Sequence, residues 1–226
     1  VFYISKKFEF IDMHNSVKNL LDIQDKIKFK TKATPIIIAV SKTFEQRQIL
    51  PLLEYGHIHF GENKVQECKD KWGELKKRYE KVKLHMIGKL QTNKVRDCLK
   101  YFDFIHSIDN KKLAKKIFDE QIKQNKKIKI FIQVNIGDET QKSGVKIPEI
   151  HELLSYCNLL KLDVMGLMCI PPNTDHPKEY FLKMNNLKNE HNLKNLSMGM
   201  SADYIDAIEN SSNFIRIGTS IFGKRD

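Results

Sequence analysis

Short apolar runs rich in β-branched residues alternate along the chain with longer stretches whose apolar positions follow helical spacing. The short runs have the length and composition of strands. They predict eight of them, over 35–40, 57–60, 83–87, 104–106, 128–134, 162–168, 193–198 and 214–217. The longer stretches predict amphipathic helices over 44–55, 64–79, 92–101, 111–125, 148–159, 177–191 and 202–209, with one more, 11–29, ahead of the first strand. Strands recur roughly every 20 to 35 residues, the size of a βα unit. That alternation predicts a parallel sheet with helices outside it. Eight strands in 226 residues favour closure, so the expected fold class is α/β: a (β/α)8 TIM-type barrel with an extra N-terminal helix, as one domain over 1–226. An open doubly wound sheet is the alternative. It would want G-x-G-x-x-G after the first strand, where the chain reads Val40-Ser41-Lys42-Thr43.

Composition narrows the picture further. A hydrophobic share of 41% supports a sizeable core. No apolar run approaches the ~18 residues of a membrane span. The apolar flavour of residues 1–10 is interrupted by Lys6, Lys7 and Glu9 and lacks the form of a signal peptide. Cys68, Cys98, Cys157 and Cys169 lie far apart with no C-x-x-C, as expected of reduced thiols in a cytoplasmic protein. The net charge of +11 is carried mostly by lysines on helix-like stretches such as 110–129. These read as solvated helix faces, and no RRM, KH or zinc-finger spacing supports nucleic-acid binding.

In a barrel of this kind, chemistry sits at the C-terminal ends of the strands. Lys42 follows the apolar run Ile36-Ile37-Ile38-Ala39-Val40. Desolvation there would lower its pKa and free an amine for imine formation. Read alone, it is more simply a lysine that caps the strand and snorkels to water. After the seventh strand comes Met198-Gly199-Met200-Ser201, with Ser201 as N-cap of 202–209; after the eighth comes Gly218-Thr219-Ser220. Two helix starts side by side make a phosphate cradle, and barrels often bind phosphate at this place; simple capping is the plainer alternative. Arg216 alternates with Ile215 and Ile217 and is directed either into the barrel, where it needs a partner such as a pyridine nitrogen, or into a salt bridge at the rim. His57 and His59, two apart on a strand, would share a face, but no third metal ligand is placed. Asp203 and Asp206 complement a helix dipole.

Several motifs carry a family resemblance. They are Ala39-Val40-Ser41-Lys42, Phe60-Gly61-Glu62-Asn63-Lys64-Val65-Gln66-Glu67 and His85-Met86-Ile87-Gly88-Lys89-Leu90-Gln91-Thr92-Asn93-Lys94. Asn135-Ile136, Lys142-Ser143-Gly144, Gly166-Leu167-Met168 and the runs 196–201 and 215–225 complete the set. In this order the chain resembles the pyridoxal 5′-phosphate (PLP) homeostasis protein family, also called the proline synthetase co-transcribed family, which is similar in fold to the N-terminal barrel of alanine racemase. The resemblance implies PLP as cofactor, with Lys42 as the imine lysine, Ser201, Gly218 and Thr219 at the phosphate, Arg216 at the pyridine nitrogen and Asn63 near the ring hydroxyl. It implies a carrier that buffers and delivers PLP to client enzymes, with no catalytic residue and no metal, and a monomer is expected. The family's Gly-Ser-Thr before the eighth strand is replaced by Ser211-Ser212-Asn213, which puts the turn geometry in question. A PLP racemase is the competing class. It would need a second base on the opposite face, supplied in alanine racemase by a C-terminal domain that the chain, ending at Asp226, is expected to lack.

Overall fold

The computed structural model describes residues 13–174 and 176–224. The apolar start of the chain, the first two residues of the helix expected over 11–29, and Arg225 of the last motif lie outside the described residues. Helix α1 (Asn15–Lys30) precedes the first strand and packs beside the last helix. Strands β1 (Ile36–Val40), β2 (His59–Glu62), β3 (Lys83–Met86) and β4 (Phe104–Ile108) alternate with α2 (Gln46–Tyr55), α3 (Val65–Arg78) and α4 (Val95–Tyr101). Then come α5 (Lys111–Gln124), β5 (Lys129–Val134), α6 (Ile150–Leu159), β6 (Asp163–Cys169), α7 (Pro177–Glu190), β7 (Asn195–Ser197), α8 (Tyr204–Glu209), β8 (Phe214–Ile217) and α9 (Thr219–Phe222).

All eight strands pair in parallel and in sequence order, and β8 returns to β1 to close the ring. The closed (β/α)8 barrel matches the expected fold class, and the open sheet is excluded. The differences are at element ends. Two of the expected helices open with single 3₁₀ turns, Thr92–Lys94 and Ile147–Glu149, and β4 runs on to Ile108 through an irregularity against β5. The helix expected from 202 begins at Tyr204, because 201–203 form a turn instead.

Alternation along each strand sorts side chains into two cores. Ile37, Ala39, Ile105, Ile130, Ile132, Leu167, Leu196, Ile215 and Ile217 face the helices and join the large outer core. Ile38, Phe104, Phe131, Met168 and Phe214 face inward and plug the barrel. Three of the five are phenylalanines, and together they make the interior a packed core and not a pore. Phe131 and Phe214 meet edge to face at 5.2 Å between centroids.

Truncating that plug should be costly. Phe131→Ala is expected to lower unfolding stability by about 3–5 kcal/mol, measured by urea denaturation. Phe29→Ala, at a side chain 87% exposed, should change it by no more than about 0.5 kcal/mol.

Candidate functional site

Lys42, Asn63, Ser201, Arg216, Gly218 and Thr219 follow or end β1, β2, β7 and β8, which are four consecutive strands of the closed ring. The barrel therefore gathers at one end residues that lie up to 177 positions apart in the chain. Lys42 is half-buried, just past the end of β1, in a turn whose next residue, Thr43, is left-handed (φ 68°).

That turn is clamped from outside the barrel. The Ser41 N–H donates to the Gly61 carbonyl (3.0 Å) and its hydroxyl to Glu62 Oε1 (2.7 Å). Glu62 Oε1 also accepts from Lys71 Nζ (3.0 Å) and Trp72 Nε1 (2.9 Å). Lys71 Nζ donates to the Ser41 carbonyl (2.6 Å) and to Glu67 Oε1 (3.0 Å), and Glu67 accepts the Thr43 N–H. Every polar group of the Ser41–Thr43 backbone named here is thus tied to β2 or α3. Burial pushes the Glu62 carboxyl above its ordinary value, with Lys71 and the Trp72 and Ser41 hydrogen bonds opposing it. In the sequence Glu62 stands out only as part of a family motif, and Lys71 and Trp72 do not stand out at all. Their signal is a charged residue directly after a buried strand, answered by an amphipathic helix with Lys on its apolar face.

Asn63 is held by contact from β3. A Cβ on Gly88 would lie 2.4 Å from the Asn63 carbonyl oxygen, so only glycine lets the two backbones meet.

Arg216 points into the barrel and is 4% exposed. Its Nη1 donates to the Ser197 carbonyl (2.7 Å) and hydroxyl (2.8 Å), and its Nη2 to the Cys169 carbonyl (2.8 Å). No carboxylate pairs with it among the described residues, so the rim salt bridge is excluded. Burial lowers its pKa from the ordinary arginine value. One Nη2 hydrogen and the Nε hydrogen remain beyond the three bonds named.

Ser201 does not cap its own helix. Asp203 stands at the N-cap, with Oδ1 accepting the Met200 N–H (2.6 Å), so it shapes the turn as well as facing the helix dipole. The Ser201 hydroxyl instead accepts from the Ser220 N–H (3.3 Å), joining the turn after β7 to α9 after β8. Gly218 continues the inward set of β8. A Cβ there would meet Val40 at an ordinary 3.6 Å, so the chain's own packing leaves room for a side chain at the barrel mouth, and glycine keeps that space open.

The Ser211-Ser212-Asn213 turn is well anchored despite its departure from the family pattern. Ser211 takes the left-handed conformation (φ 70°), the Ser212 hydroxyl donates to the Met198 carbonyl (2.7 Å), and Asn213 Oδ1 accepts the Leu196 N–H (2.9 Å). His57 and His59 do not share a face. β2 begins only at His59; His57 Nε2 lies 2.9 Å from the His59 carbonyl and its ring packs on Phe60, whereas His59 Nδ1 turns inward to His85. No cluster of three or more metal-ligating side chains occurs among the described residues.

Comparison with known proteins places this geometry. Residues 11–226 match the family described as alanine racemase, N-terminal domain. A pyridoxal phosphate homeostasis protein of Vibrio alginolyticus is 36% identical over 231 residues, covering 95% of this chain and 99% of that one. The solved structure of PipY from Synechococcus elongatus PCC7942, with PLP bound, superposes with a TM-score of 0.83 at 29% identity, covering 92% of this chain and all of that one. An alanine racemase of Clostridium difficile 630 shares the fold (TM-score 0.72, 17% identity), with this chain spanning 57% of it.

The clamp is open to test. Lys71→Met leaves Glu62 buried without its cation and should cost about 3–5 kcal/mol of stability near neutral pH. The loss should shrink on acidification. A carboxyl whose folded pKa lies above its unfolded value destabilises the fold when ionised, so stability is retained below the unfolded pKa and falls as pH rises towards the folded one. Urea denaturation of the variant at pH 5 and pH 8 reads both the size and the sign.

Proposed function

This chain belongs to the pyridoxal phosphate homeostasis proteins, within the family of the alanine racemase N-terminal domain, and on that premise we propose that its barrel mouth binds PLP covalently and holds it for intracellular supply. The observation that carries the proposal is the closure of β8 on β1. It brings the ends of the two strands side by side, so that Arg216 near the end of β8, and Lys42, Gly218 and Thr219 just past the strand ends, gather at one mouth, where Ser201 is bonded to Ser220. When bound, PLP supplies an aldehyde that an amine can capture and a ring able to draw electrons.

The chain's own groups fit such a guest. Lys42 would hold the cofactor through its amine, at the aldehyde carbon. The clamp through Ser41, Glu62 and Lys71 orients that lysine before the guest arrives. The Ser201 hydroxyl and the backbone after β8 face the phosphate, where Gly218 leaves space. Arg216 offers its remaining hydrogens to the pyridine nitrogen, and Asn63 stands on the side of the ring hydroxyl. Arginine keeps its proton, so the ring nitrogen beside it stays unprotonated. That weakens electron withdrawal by the ring and favours holding the cofactor over racemising amino acids. Delivery from a monomeric cytoplasmic carrier, one domain over 1–226, to PLP-requiring client enzymes completes the reading. Four buried, unpaired cysteines suit a reducing compartment.

Protein reconstituted with PLP should show a visible band that borohydride abolishes while fixing mass on the Lys42 peptide. Lys42→Ala should show neither. Reduction onto another lysine would overturn the assignment. Ser201→Ala should bind PLP about ten-fold more weakly, the loss expected of one charge-assisted hydrogen bond. Incubation with L-alanine followed by chiral analysis should give no turnover approaching about 1 per second; turnover at that rate would make the protein a racemase.

A further inference from the structure

A column of polar side chains runs down the inside of the barrel from Arg216. The Ser197 hydroxyl lies 2.8 Å from Arg216 Nη1 and 2.9 Å from His106 Nδ1. His106 Nε2 lies 2.9 Å from His85 Nδ1, and His85 Nε2 lies 2.9 Å from His59 Nδ1. His85, His106 and Ser197 are fully buried, and His59, at the first position of β2, is half-buried. The two inner rings are fixed by stacking, His85 on Phe104 at 4.2 Å and His106 on Phe131 at 4.4 Å. The column therefore links the mouth to the opposite end of the barrel.

Resting on the assignment of the mouth to PLP, we propose that His106, His85 and His59 act through Ser197 as positioning residues for Arg216, and that protonation at the floor of the barrel weakens the hold of Arg216 on the pyridine nitrogen.

The proton arrangement follows from the donors. Arginine can only donate, so Ser197 Oγ accepts from Arg216 and its own hydrogen goes to His106 Nδ1. Each nitrogen–nitrogen contact holds a single proton. His106 must then carry its hydrogen on Nε2 and give it to His85, and His85 does the same towards His59. All three rings are neutral, in one tautomer, with a polarity set by the charge of Arg216. While the contacts hold, an extra proton is accommodated by reversing every bond. His59 then carries two hydrogens, Ser197 accepts from His106 as well as Arg216, and the Ser197 O–H stays bonded but turns away from His106.

The surroundings place that event below neutral pH. Burial holds His85 and His106 well below the ordinary histidine value; His106, His59, His57 and Lys76 add to it at His85, and Arg216 adds to it at His106. At the floor, burial and Lys83 lower His59 while Asp103 opposes them. His57, held at about 4 chiefly by burial, abuts the His59 carbonyl. Lys76 pairs with Asp103 (2.7 Å), and Lys129 lies over the Phe104 ring (5.4 Å). At the mouth end, Asp203 and the Cys169 thiol are the ionisable groups felt by Arg216. His59, the most accessible member of the column, takes the first proton, below its ordinary value of 6.5.

The test uses the full chain in two states. Imidazole nitrogen-15 spectra of the cofactor-free protein at pH 7.5 should show His59, His85 and His106 as neutral Nε2–H tautomers; an Nδ1–H assignment for His85 or His106 would overturn the column. In the loaded protein, acid titration of the visible band and of PLP affinity should show a transition that His59→Gln removes. Glutamine still accepts from His85 but does not titrate, so the variant removes the pH response and keeps an acceptor at the floor. His106→Phe, which cuts the column, should weaken PLP about ten-fold or more at pH 7.5, with partial recovery in His106→Gln. A His59→Gln titration superimposable on wild type would overturn the coupling. A wild-type protein with no PLP band at any pH would instead refute the assignment of the mouth, and the tautomers of the cofactor-free protein would still decide whether the column exists.

Discussion

The pairing of β8 with β1 is the constraint on which the rest of the molecule depends. Ile36 faces Phe214, Ile37 faces Ile215, Ile38 faces Arg216 and Ala39 faces Ile217. In that register Phe214 lies in the plug, Arg216 stands level with Ile38, and Gly218 comes beside Val40, with the Lys42 turn just past the end of β1. A slip of one residue would turn Arg216 into the helix layer and bring Ile215 and Ile217 into the mouth. The outer core, where those isoleucines are fully buried, opposes such a slip with apolar area from two strands at once. Barrel closure and site assembly are therefore the same event.

The two buried cations among the described residues are handled differently. Lys71, in the shell outside β1 and β2, meets two carboxylates, and its charge fixes the turn that carries Lys42. Arg216, inside the barrel, meets only carbonyls and a hydroxyl among the described residues. Its charge is solvated by dipoles but not cancelled. An uncancelled guanidinium in a low-dielectric interior raises the cost of any further positive charge nearby. Burial holds the histidines below it under their ordinary value, and at His106 this charge adds to the effect. The same physics accounts for a guanidinium held by dipoles in the barrel above rings that carry no charge.

Much of the fold is legible in the sequence because hydrophobic periodicity reports burial directly. Five apolar residues ending at Val40, and the alternation of Arg216 with two isoleucines, place strands and their faces without any tertiary information. Glycine also leaves a trace, since Gly88 and Gly218 stand where backbone or open space must be close. What a linear pattern cannot hold is pairing between distant residues. His59, His85, His106 and Ser197 lie on four strands and touch only because the ring closes, and nothing in their spacing joins them. For the same reason Ser201 reads in sequence as the cap of the helix next to it, whereas its partner is Ser220 across the mouth. Local chemistry sets which elements form. Only the closed barrel, by fixing which strand ends are neighbours and which way each side chain faces, decided which polar groups satisfy one another and so what the mouth can hold.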